Sequence, residues 1–299
     1  MTTIKDIAIP PLAIVCHDAG ATNIIANLVS EYKDEVRVCM EGPARNIWNS
    51  YFPNTEILSL NNALKDANTL LSGTGMGDLE YLSRIEAKKK NIKNIAVIEH
   101  WTNYKERFTR NSKVVLPDQI IVNDEYAKRQ ADAIFPSVSI IQMHNIYVQN
   151  EAKLAYESRR RDCICPYENI LIVAEPLKPQ FFGSDSFLFE SSVDYLFSNL
   201  KKINLSKDLI NVCLRAHPSE FPDNYNFIRD RYQDFVTEFT ISNDRKLYED
   251  IAWADLVLGT DSFAMVIALT AKIPTLSFAA PNRPDCLLPY KEIIHLKNI

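Results

Sequence analysis

Short apolar runs alternate with segments of helical spacing along most of the chain. In the first half the apolar runs are Pro11–Cys16, Glu35–Met40, Ile57–Leu60, Thr69–Ser72, Lys93–Ile98, Gln119–Val122 and Val138–Met143. Between them Ile24–Val29, Ala44–Tyr51, Ala63–Ala67, Leu79–Asn91 and Asp124–Ala133 carry helical spacing. Continuous apolar runs of this length predict strands covered on both faces, and strand–helix alternation predicts a parallel sheet wrapped by helices. The rhythm breaks between Gln149 and Tyr167, where the polar run Glu157-Ser-Arg-Arg-Arg-Asp precedes Pro166. A domain boundary belongs there. The alternation resumes with strands at Asn169–Ala174, Leu209–Leu214, Phe235–Phe239, Ala254–Gly259 and Ile273–Phe278. Helices are predicted over Phe187–Leu200, Asn224–Gln233 and Lys246–Trp253, and after Gly259 to about Ala271. The expected division is a first domain over 1–148, a second over 168–280, and a tail over 281–299 that packs back on the first.

Length agrees with that division, since 299 residues, 46% of them hydrophobic, suit two domains of about 150 residues better than one. A net charge of −5 argues against an extended nucleic-acid partner, which needs a basic face. The N-terminal residues lack the basic and long apolar regions of a signal peptide, and no run approaches the ~20 apolar residues of a membrane span. The expected location is the cytoplasm. The six cysteines are scattered, and Cys163-x-Cys165, the only close pair, has no second pair beside it to complete a zinc site.

Candidate chemistry collects where predicted strands end, the edge at which open α/β sheets bind ligands. All seven glycines, Gly20, Gly42, Gly73, Gly75, Gly77, Gly183 and Gly259, fall within or just after such ends. In the second half, Arg215-Ala-His217-Pro218 closes one strand, and proline holds the histidine at the rim. Imidazole and guanidinium both suit a phosphate. Gly259-Thr260-Asp261-Ser262 is a turn opening a helix, whose free amides and hydroxyls also suit an anion. In the first half, Asp18 and His17 follow the first strand, where either could take a proton from an acceptor hydroxyl. Asp78, and the pair Glu99-His100, are rivals for that role. The loop Glu99-His-Trp-Thr-Asn-Tyr offers aromatic faces, Trp101 and Tyr104, of the kind sugar rings stack on. Gly20, Thr74 and Asp78 would line the same acceptor side. The Gly73-Thr-Gly-Met-Gly turn has neither dinucleotide-binding nor P-loop spacing, and no Asp-x-Asp occurs. No metal is expected.

A strand ending in His217-Pro218, followed some forty residues later by the small hydroxyl-rich turn at Thr260–Ser262, resembles the CMP-sugar-using glycosyltransferases of GT-B architecture. These include bacterial sialyl-, polysialyl- and Kdo-transferases. The resemblance implies two Rossmann-like α/β domains facing across a cleft. It implies that His217 contacts the CMP phosphate, that the 260–262 turn also binds CMP, and that Glu175-Pro176 helps hold the nucleotide. It implies Asp18 as general base, although the family's acidic pair before glycine is here a single acid in His17-Asp18-Ala19-Gly20. The activity expected is metal-independent transfer of a nonulosonic or octulosonic acid from CMP to a bacterial surface glycan. CMP-sugar would be co-substrate, with no cofactor, and the protein would associate peripherally with a glycan-assembly complex at the inner face of the inner membrane. The alternatives are a UDP-sugar transferase or hydrolysing 2-epimerase of the same fold, and a non-catalytic sugar- or nucleotide-binding subunit.

Overall fold

The computed structural model describes residues 3–160, 162, 165–177, 188–242 and 244–299. The chain divides into two units, Met1–Tyr147 and Val148–Ile299.

In the first unit the order is α1 (Ile4–Ile7), β1 (Leu12–Cys16), α2 (Ala19–Leu28), β2 (Val36–Met40), α3 (Ala44–Tyr51), α4 (Leu60–Ala63), β3 (Thr69–Ser72), α5 (Asp78–Lys89) and β4 (Lys93–Val97). It continues with a small hairpin, β5 (Thr109–Arg110) and β6 (Lys113–Val114), then β7 (Gln119–Val122), α6 (Glu125–Ile134) and β8 (Ser139–Gln142). The six longer strands form one sheet in the order β2-β1-β3-β4-β7-β8. Every neighbouring pair in it is parallel. β1 is buried at all five positions, as expected for a strand covered on both faces. The order reverses between β1 and β3, so the loops after these two strands flank the crevice where such sheets bind ligands.

The second unit carries α7 (Ile146–Ser158), which begins at the boundary, β9 (Asn169–Val173), α8 (Leu188–Ser198), β10 (Asn211–Arg215), α9 (Asn226–Tyr232) and β11 (Glu238–Ser242). Then come α10 (Leu247–Trp253), β12 (Leu256–Gly259), α11 (Phe263–Thr270), β13 (Thr275–Ser277) and β14 (Ile294–His295). The sheet order is β11-β10-β9-β12-β13-β14. Counted within the unit this is 3-2-1-4-5-6, the order of dinucleotide-binding sheets, with its switch point between β9 and β12. Register sets Arg215 beside Val173 and Ser242, and Leu258 beside Ile172, so the loops after β9, β10 and β12 leave one common edge. The core beneath packs Ile170, Ile172, Leu214, Leu258 and Phe278 against Phe189, Val193 and Tyr225.

Four local expectations need correction. Ile57–Leu60 is no strand: Ile57 makes a single bridge to Val38, and Ser59 then caps α4 by accepting from the Asn62 amide. The stretch from Gln149 is helical to Ser158 because Tyr147, Val148, Ala152 and Ala155 form a buried stripe among polar residues. The strand expected over Phe235–Phe239 lies at Glu238–Ser242, and Phe235 is exposed. The tail expected on the first domain belongs to the second unit, where Ile294–His295 pairs with β13 as the sixth strand. Gly183, Cys163 and most of the turn expected from Glu175 to Asp185 lie outside the described residues.

Candidate functional site

At the end of β10, Arg215 does not present its charge to the rim. Its Nη1 donates to Asp250 Oδ2 at 2.6 Å and to the Arg245 carbonyl at 2.9 Å, and Asp250 is fully buried. Arg215 therefore neutralises a buried carboxylate. His217, two residues on, is half-buried. Its Nδ1 accepts from the Ser219 amide at 3.2 Å and lies 2.8 Å from Ser219 Oγ. An accepting Nδ1 places the proton of the neutral ring on Nε2, a donor suited to an anion. Pro218 is exposed beside it.

At the switch point Glu175 leaves β9, turned by Pro176. One carboxylate oxygen, Oε1, accepts from the Thr260 hydroxyl and from the Asp261 amide at 3.1 Å. Arg283, nearly buried, pairs with Oε2 at 3.2 Å. Ser262 caps α11 through the Ala264 amide. A carboxylate of the chain itself thus takes the Thr260 hydroxyl and the Asp261 amide of the turn expected to cradle a phosphate, just before the Ser262 cap of α11. Asp261 accepts from the Leu287 amide at 2.6 Å, and burial pushes its carboxyl up to about 6. Tyr225 donates to the Glu175 carbonyl at 2.8 Å, and its hydroxyl also meets the His217 backbone, tying the ends of β9 and β10 together.

The first unit gathers a second constellation at the end of β1. His17 Nδ1 and Asp18 Oδ1 are 2.7 Å apart, and this bond raises the imidazole above its ordinary value. Both side chains are partly exposed. Gly42 follows β2 with φ of 52°, and a Cβ there would sit 2.8 Å from His17 Nε2. Only glycine combines that backbone with that approach. The Gly73–Gly77 turn after β3 is pinned through its carbonyls: Arg84 donates to Gly73, Arg107 to Thr74, and Arg110 to Gly75 and Gly77. Thr74 is buried, with its hydroxyl on the Val97 carbonyl. Asp78 is exposed and lies 3.5 Å from Arg110.

Glu99 reaches the same crevice but is paired with Arg107 at 2.7 Å, and a Cβ on Gly20 would come within 3.0 Å of its Cγ. His100 is half-buried, its Nδ1 3.1 Å from Thr102 Oγ1. The expected stacking faces are not available for a sugar. Trp101 is 4% exposed and Tyr104 2%. Trp101 Nε1 donates to Asp124, the cap of α6, so these rings build the core under the loop.

Sequence reasoning passed over Glu80, Arg84, Arg107, Arg110 and Arg283. Glu80 is fully buried, and its Oε1 accepts from the His17 amide at 2.7 Å. Among the described residues no group of three His, Cys, Asp or Glu side chains is placed to hold a metal, and no helix is long and apolar enough to cross a membrane.

No family model matches the chain, and no curated protein matches it. Solved structures do. The UDP-GlcNAc 2-epimerase of Methanocaldococcus jannaschii, in complex with UDP-GlcNAc and UDP, superposes with a TM-score of 0.63 at 12% identity, over 95% of this chain and 88% of that one. The UDP-GlcNAc 2-epimerase of Neisseria meningitidis, bound to UDP-GlcNAc, gives 0.63 at 12% over 93% and 84%. The chain therefore has the fold of these proteins, two parallel-sheet α/β domains of GT-B type.

Proposed function

We propose that the protein is a nucleotide-sugar-dependent glycosyltransferase whose nucleotide binds at the C-terminal edge of the second sheet. The observation that carries this is the alignment of three groups along that edge: His217 after β10, Glu175 after β9, and Thr260 after β12. Neighbouring strands lie ~4.8 Å apart, so the ends of β10 and β12, on either side of β9, are ~10 Å apart. A carboxylate fixed at a switch point suits the hydroxyls of a ribose, and an imidazole one strand away suits the phosphate. With Glu175 on the Thr260 hydroxyl and the Asp261 amide, the phosphate grip falls to His217. That histidine would stabilise the leaving phosphate without a metal.

The finer reading is transfer of a nonulosonic or octulosonic acid from CMP to a glycan hydroxyl, with Asp18, bonded to His17, accepting the hydroxyl proton. A single phosphate against one imidazole supports CMP. The likeness to UDP-GlcNAc 2-epimerases across most of the chain supports a second reading, hydrolytic 2-epimerisation of a UDP-sugar. Incubation with CMP-N-acetylneuraminate or UDP-GlcNAc, with chelator present, separates them. Acceptor-dependent release of CMP is expected. Formation of UDP and free N-acetylmannosamine would establish the second reading, and inertness together with failure to bind either nucleotide would remove both.

A further inference from the structure

Glu80 lies in the first turn of α5, fully buried, and its Oε2 has no hydrogen-bond partner among the described residues. A buried carboxyl with an idle oxygen is costly unless it is neutral or has work to do. Its other oxygen holds the His17 amide, one bond along the chain from the His17–Asp18 pair. The position a Gly75 Cβ would take is 2.7 Å from Asp18 Oδ2 and 3.2 Å from Glu80 Oε1, so these oxygens are within about 6 Å of each other. A side chain at 75 would push between them.

We propose that Glu80 is the positioning and proton-holding residue of a three-group acid–base site, His17–Asp18–Glu80. The proposal rests on the reading of Asp18 and His17 as the groups that take the acceptor proton. In that step the proton leaves the substrate hydroxyl for Asp18, and the electron pair stays on the substrate oxygen. Glu80 holds the backbone that aims His17, and its charge sets how readily the pair takes a proton. Burial first, then the Asp18 charge, pushes Glu80 up to about 7, so it changes state where the site would work. The other groups coupled to its charge are Cys16 from β1, Cys39 from β2 and Arg84 one turn along α5, while Arg110 from β5 acts on Arg84 and Glu41 after β2 acts on His17. Cys16 stays a neutral thiol, because burial raises it far beyond the working range. Glu80 and His17 act on each other's charge and titrate as a coupled pair.

The test is a proton-NMR titration of the full chain, with the His17 resonance assigned through His17→Gln. In the wild type the His17 curve carries a second inflection near neutrality. Glu80→Gln, which keeps the shape and the His17 amide bond, is expected to abolish that inflection and lower the His17 midpoint by about half a pH unit. Stability gives an independent readout. A carboxyl raised on folding contributes fully below its unfolded value and loses that contribution as pH rises from about 4.5 to about 7. Glu80→Gln should therefore gain stability relative to the wild type across that window. Should Glu80→Gln not fold, Asp18→Asn serves: it removes the neighbouring charge, and the protonated-carboxyl infrared band of Glu80 should then disappear at lower pH. Unchanged His17 curves with a pH-independent stability difference, or an unmoved infrared band in Asp18→Asn, would overturn the proposal. These readouts need no substrate, so a failed donor assay leaves them intact.

Discussion

Replacing Arg215 by methionine separates a role in ligand binding from a role inside the fold. Asp250 is fully buried, and it is matched by Arg215 at 2.6 Å, by the Ser242 hydroxyl at 2.8 Å and by Arg245 at 2.8 Å. Methionine preserves the apolar stem but removes the closest cation. Breaking a buried ion pair costs ~3–5 kcal/mol, and the lower end applies because Arg245 and Ser242 remain. A loss of about 3 kcal/mol in a domain of this size lowers Tm by about 6–12 °C. Urea denaturation of wild type and Arg215→Met measures this, and adding Asp250→Asn should recover most of the stability. If Arg215→Met unfolds at the wild-type urea concentration while nucleotide affinity falls tenfold or more, the reasoning is refuted and Arg215 belongs to the ligand.

Gly42→Ala should cost about 1–2 kcal/mol for the left-handed backbone alone, and the new methyl should also displace His17, visible as a shifted imidazole resonance. Unchanged stability would mean that the turn relaxes freely. Asp124→Ala removes a helix cap and the carboxylate that accepts the Trp101 indole N–H, so a loss of about 2 kcal/mol is expected by chemical denaturation. Saccharide binding should not perturb Trp101 fluorescence in the wild type, and a quench would contradict the burial described above.

The sheets were legible because parallel strands must be apolar on both faces, as Leu12–Cys16 and the run after Asn169 are. The chemistry of the first unit was less so, and α5 shows why. Its buried face carries Glu80, Ser83, Arg84 and Ala87, with Tyr81 buried beside them, while Leu82 is 48% exposed. The helix turns polar groups inward, Arg84 to the glycine turn and Glu80 to the His17 amide, where apolar periodicity does not point. The i, i+3, i+4, i+7 spacing of these four residues was the available signal, but the side chains concealed it. Trp101 misled in the opposite sense, since an indole suited to sugar stacking serves equally as a core residue once Asp124 accepts its N–H. At Thr260–Ser262 the anion site was readable from the turn. Its occupation by Glu175 was not, because the two residues meet only after β9 and β12 pair.

A thermal-shift panel with CMP, UMP, UDP, GMP and NAD on the wild type and His217→Ala bears most directly on the central claim, that a nucleotide sits along the edge marked by His217, Glu175 and Thr260. A ligand that binds only the folded state at 100 times its Kd adds ~2.7 kcal/mol, so the matching nucleotide should raise Tm by several degrees. The account predicts the largest rise with CMP, abolished by His217→Ala. No rise with any nucleotide, or a rise that His217→Ala leaves untouched, would contradict it.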